Sequence, residues 1–165
     1  MFSVHLFGTS HGASRFFLAF LLLLGLSTPT TADDTVVVTV SNSDFRTAHD
    51  GLIEAIESEG LVVGSILPFR DMLARTAVGG GAIPYGEAEI IQFCSSVLAA
   101  ELVREDPRQL TLCPLSIALY SLVGKSSEIR LAYRSPGNST AGRRHAESLL
   151  QRIIQRAAGL ARLRW

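Results

Sequence analysis

Cys94 and Cys113 are the two cysteines of this 165-residue chain, and no other pair of its side chains offers as much chemistry. In a chain that leaves the reducing cytosol they are free to form a disulfide. Closing the 18 intervening residues would contribute about 3 kcal/mol through loop entropy. Three other fates stay open: thiols without a role, a redox couple, or two metal ligands joined by His49 as a third group. The Cys-x-x-Cys spacing of thiol oxidoreductases is missing, and so is the Cys-x-x-Cys-His of haem attachment. Histidine supply is short as well. His5 and His11 fall in an N-terminal leader, which leaves His49 and His145 and excludes a three-histidine zinc site from the remainder. On a helical wheel His49 lies between Phe45 and Ile53, at the border of an apolar face, a usual place for a core-edge histidine.

The remaining motifs each fail on spacing. Gly124-Lys125-Ser126 has the end of a phosphate loop, but the earlier glycine would fall at Leu119. Neither a Gly-x-Ser-x-Gly elbow nor a His-Glu-x-x-His helix is present, and Gly79-Gly80-Gly81 does not fit a dinucleotide fingerprint. Glu87 and Glu89 share a strand face, where paired carboxylates are ordinarily solvated. No motif assigns a cofactor, so an enzyme is disfavoured. The loop from Gly79 through Gly80 and Gly81 to Tyr85 and Gly86 is instead a flexible connection with an aromatic at its end, and it is a candidate ligand loop.

These residues hang on a regular alternation of elements. Residues 35–40 (TVVVTV) read as a β-branched strand. A helix follows, capped by Ser43 or Asp44, with Phe45, Ala48, Leu52, Ile53 and Ile56 on one side and Gly60 at its end. Residues 61–67 form a second strand, Pro68 opens a short helix, and residues 87–94 form a third strand that ends at Cys94. Ser95 or Ser96 caps the next helix, which Pro107 stops. A fourth strand lies within residues 110–122 and pairs with residues 128–133 through the turn at Gly124, forcing those two to be antiparallel. The last helix, residues 141–163, lines up Ala146, Leu149, Leu150, Ile153, Ile154, Ala157, Leu160 and Ala161. The sum is an α/β two-layer sandwich, with a mixed, mostly antiparallel sheet of about five strands and helices packed on one face.

Export is expected from the N-terminus. Residues 16–26 (FFLAFLLLLGL) are an apolar run spanning roughly 16 Å as a helix, about half the hydrocarbon thickness of a bilayer, and small residues at Thr30 and Ala32 place a cleavage site after Ala32. Residues 1–32 are thus read as a signal peptide and residues 33–165 as one domain, periplasmic or secreted, whose membrane contact ends with cleavage. Charge within that domain is uneven. Residues 33–134 hold 8 basic and 14 acidic side chains, whereas residues 135–165 hold six arginines and Glu147 alone. Without interleaved aromatics, those arginines do not point to nucleic acid. They are read as the solvated side of a packed helix, free to pair with the acidic remainder.

The order of elements, with Phe93-Cys94, Asp106-Pro107, Cys113-Pro114 and Leu119-Tyr120 at its joints and Gly60-Leu61 earlier, resembles the bacterial domain-of-unknown-function family 302. That resemblance implies a small α/β domain that can form a homodimer, is often secreted and has no established enzymatic activity. It supplies no catalytic residue. In the family's middle region a His or Met environment is common, and here that stretch holds only Met72. The function expected is an exported module binding a small ligand or a protein partner through its sheet or the glycine loop, with a thiol-dependent redox or metal module as the alternative.

Overall fold

In the computed structural model residues 34–76 and 81–163 are described; the expected leader, Gly79 and Gly80 lie outside them. The elements run β1 (Thr35–Ser41), α1 (Phe45–Ser58), β2 (Val62–Leu67), α2 (Phe69–Thr76), β3 (Tyr85–Cys94), α3 (Ser96–Glu105), a 3₁₀ helix (Pro107–Leu112), β4 (Leu115–Leu122), β5 (Glu128–Arg134) and α4 (Ala141–Leu163). Local chemistry sets the boundaries. Asp44 caps α1 by accepting from Thr47 N at 2.9 Å and from Thr47 Oγ1 at 2.8 Å, and Gly60 supplies the left-handed φ of +74° that turns the chain away. Ser95 Oγ accepts from Leu98 N to cap α3. Before Pro107, Asp106 is extended (φ −156°), which ends α3 and lets its carboxylate start the 3₁₀ helix by accepting from Arg108 N.

The five strands lie in the order β1-β5-β4-β3-β2, and all four pairings are antiparallel. The mixed sheet expected from the sequence is therefore corrected. A strand, a helix and a strand in succession would suggest parallel neighbours, but β1 and β2 stand at opposite edges with three strands between them. The α3 crossover likewise returns the chain antiparallel to β3, in register Phe93↔Leu115.

Strand alternation divides the sheet into two unlike faces. Phe93 and Ile91 on β3, Leu115, Ile117 and Leu119 on β4, and Ile129, Leu131 and Tyr133 on β5 are buried with the apolar sides of α1, α3 and α4. The helices α1 and α4 meet through small residues: a Cβ on Gly51 would stand 3.3 Å from both Ala157 O and Leu160 Cβ. That approach needs a residue without a side chain. Opposite to this core lie Ser116, Ala118 and Tyr120 of β4 with Arg130 and Arg134 of β5. The short α2 belongs to this second side, since its Phe69 meets Tyr85 edge to face, and Tyr85 meets Tyr120 at a ring separation of 5.6 Å. No residue of α2 is buried.

Candidate functional site

The hairpin of β4 and β5 opens into a fork. The ladder joins Ala118↔Ala132, Leu119↔Leu131 and Tyr120↔Arg130. Below Ala118, β4 continues its pairing with β3 as far as Leu115, and beyond Ala132, β5 continues with β1 as far as Arg134. Each strand thus keeps its outer neighbour and loses its inner one. Extending the register would set Pro114 directly opposite Pro136. Neither ring nitrogen carries a donor and both rings take space in the seam, so the hairpin cannot zip shut at this end.

Between the parted strands lies a cavity of about 500 Å³. Ile90, Ala118 and Ala132 contribute apolar surface, Leu150 of α4 reaches it from the core side, and Thr111, Ser116, Arg134 and Ser135 supply polar groups. Its size falls within the range of small-molecule sites. Behind Ser135 the polar groups are satisfied. Glu147 accepts from Tyr133 Oη at 2.7 Å, Ser135 Oγ at 2.7 Å and Gln151 Nε2 at 2.8 Å. Burial pushes the Glu147 carboxyl up, but those three donors together outweigh it and hold the group below its ordinary value. Burial first, then the bond to Glu147, drives the Tyr133 phenol well above its ordinary range. Arg143 donates to the Pro136 carbonyl and fixes the turn after β5.

The two cysteines come together at the edge of this fork. Cys94 ends β3 one residue past the Phe93↔Leu115 pair, and Cys113 lies between Leu112 and Pro114, which both line the cavity. Both are free thiols, Cys94 exposed and Cys113 half-buried. Burial raises the Cys113 thiol, and the nearby Cys94 raises it further. No disulfide joins them in the structure.

The third expected member is elsewhere. His49 Nδ1 is 3.2 Å from Asp50 Oδ1, and its Nε2 is 3.6 Å from Glu89 Oε2. Glu89 is five residues from Cys94 along β3, roughly 17 Å, and on the other face of the strand. Among the described residues no group of three His, Cys, Asp or Glu side chains could hold a metal. Of the candidate ligand loop, Gly81 is exposed and Tyr85 is held between Phe69 and Tyr120, away from the cavity lining. A smaller cavity of about 200 Å³ lies between α3 and α4, flanked by Glu59–Arg152 at 3.0 Å and Glu101–His145 at 3.0 Å.

A family model described as domain of unknown function DUF302 matches residues 36–161. The chain belongs to the DUF302 family. A solved structure of an uncharacterized conserved DUF302 protein from Bacillus stearothermophilus is similar in fold, with a TM-score of 0.56 at 16% identity, covering 79% of this chain and 98% of that one. No curated protein matches.

Within this DUF302 domain, the fork residues Ser116, Ala118, Ala132 and Arg134 escape a reading of motifs because none has a distinctive spacing. A signal was nonetheless present. Pro114 and Pro136 bracket the hairpin symmetrically about Lys125 of its turn, a signal of a seam that fails to close.

Proposed function

We propose that this DUF302 chain is an exported, non-enzymatic binding module that holds a small organic ligand in the fork between β4 and β5. The observation that carries the reading is the cavity of about 500 Å³ set into the sheet where the ladder stops at Ala118↔Ala132. A sheet interior this open costs packing, and a ligand that fills it restores those contacts. The absence of a recognised nucleophile, base or metal constellation in the sequence favours binding over turnover.

A fluorescence thermal-shift screen of small organic acids, alcohols and amines on the full chain and on Ser116→Trp tests this. Ser116 is exposed and lines the cavity, so an indole there fills the fork without entering the core. Compounds that raise the melting temperature of the parent chain and not of Ser116→Trp are expected. Equal shifts in both chains, or none in either, would overturn the reading.

Export and self-association belong to the same proposal. Export rests on the apolar run and the small residues before Ala32, and it predicts that chain isolated from the cell envelope starts at Asp33. There the adjacent thiols are expected to have closed into a disulfide, so thiol titration should find none free; two free thiols would set the disulfide aside. Dimerisation is supported by the uncharged outer edge of β1, where Val37 is 47% exposed and no lysine, proline or acid discourages strand addition. Sedimentation equilibrium reads it directly, and a monomer at tens of micromolar would remove it.

A further inference from the structure

The charges around the fork indicate what kind of molecule it would take. On the uncovered side of the sheet β5 presents two arginines, Arg130 and Arg134, four residues apart. Arg130 is neutralised within the strand, its Nε and Nη2 both donating to Glu128 Oε1. Arg134 has no such partner: among the described residues its guanidinium makes no hydrogen bond and no ion pair, and it lines the mouth of the cavity. A cation left open at the rim of a pocket whose wall is Ile90, Ala118 and Ala132 is complementary to an anionic head on an apolar body. The hydroxyl of Ser116 stands on the same wall and can donate to a second oxygen.

Glu147 limits the charge. Its proton donors are neutral hydroxyls and an amide, and so they leave its negative charge in place where Ser135 meets the lining. A single added negative charge pairs with Arg134, while the other nearby guanidinium, Arg143, is committed to the Pro136 carbonyl.

We infer that the fork takes a singly charged organic carboxylate with an apolar tail, the carboxylate paired with the Arg134 guanidinium and the tail laid along Ile90, Ala118 and Ala132. This rests on the binding function proposed above and specifies its ligand class.

Isothermal titration of the full chain with 4-phenylbutyrate and with 4-phenylbutanol, which share one apolar body and differ in the charged head, tests it. The acid is expected to bind at least tenfold more tightly than the alcohol. Arg134→Gln should erase that difference by weakening the acid tenfold while leaving the alcohol unchanged, and Arg46→Gln, which removes the same charge from α1, should leave both unchanged. Ser116→Trp should abolish binding of either compound. If acid and alcohol bind equally, or Arg134→Gln has no effect, while Ser116→Trp still blocks both, the anionic class is overturned and the cavity keeps its binding role. Binding that persists in Ser116→Trp, or no binding of either compound to the parent chain, overturns the carboxylate proposal together with the site it rests on.

Discussion

The two faces of one sheet are built to different standards. Toward α1, α3 and α4 the strands present Ile117, Leu119, Ile129 and Leu131, all without exposed surface, interlocked with Ile153, Ile154 and Ala157. Toward the other side the alternate residues are Ser116, Ala118, Arg130 and Arg134, and among the described residues the short α2 contributes cover at the Tyr85 end. A face assembled from large apolar residues against three helices stores the stability of the domain. The opposite face has small side chains where the seam opens and an uncommitted cation at its rim, which suits a ligand more than a core.

Neighbouring residues of β4 provide the sharpest test of this division. Ile117 is fully buried in the core, and deleting its branches as Ile117→Ala should cost about 3 kcal/mol by lost transfer energy and an unfilled cavity, read as a lower denaturant midpoint with unchanged slope. Ser116 points the other way into the fork. Ser116→Ala should stay within about 0.5 kcal/mol of the parent. Similar losses at the two positions would mean that the second face is also a packing face, and that the fork is closed in solution.

A medium-sized effect is expected where the two faces meet, at the end of β5. Tyr133 is buried on the helix side, yet its hydroxyl reaches Glu147 beside Ser135. Tyr133→Phe removes a hydrogen bond to an ionised carboxylate and should cost about 1–2 kcal/mol at neutral pH. The same pair sets the pH limits of that stabilisation. Glu147 is held below its ordinary 4.5, so its contribution is present above pH 4.5 and is lost as the pH falls through the lowered folded value. Tyr133 is held above its ordinary 10.0, so its contribution is complete below pH 10 and is lost as the pH rises toward the raised folded value. Thermal melts across pH 3–11 should show both declines, Glu147→Gln flattening the acid one and Tyr133→Phe the alkaline one. Declines that survive both substitutions would place the titrating groups elsewhere.

The covered face was largely legible in the sequence, because each of its helices carries its own period. The spacing of Ala146, Leu149, Leu150, Ile153, Ile154, Ala157, Leu160 and Ala161 identifies the buried side of α4, and all but the half-buried Leu160 are buried. On α1 the same logic caught Ala48, Leu52 and Ile56 but passed over Gly51 and Ala55, which are buried because α4 approaches closely there. Hydrophobicity does not report that kind of burial, since it depends on a partner distant in sequence. The uncovered face was less legible for a related reason. A fork is a property of two strands in register, and only their joint numbering shows Pro114 and Pro136 meeting. The candidates Cys94, Cys113 and His49 depend on placement in the same way. Strand ends joined by a crossover did bring the thiols together, whereas His49 follows α1 to Glu89 in a different part of the sheet.

The smallest effect separates the two thiols themselves. Cys94 is exposed, whereas Cys113 is half-buried and its thiol is raised from 9.0 chiefly by burial and then by Cys94. In the reduced full chain at pH 7.5, iodoacetamide should therefore alkylate Cys94 several-fold faster, as read by peptide mass mapping over time. Cys94→Ser removes the neighbouring charge and sulfur but leaves the burial in place, so Cys113 should gain only a modest part of the missing reactivity. Should Cys113 become as reactive as Cys94 was, the neighbour and not the burial would be what restrains it. Equal rates in the parent chain would show instead that the cavity edge at Leu112 and Pro114 is open to solvent on both sides, placing Cys113 with the uncovered face.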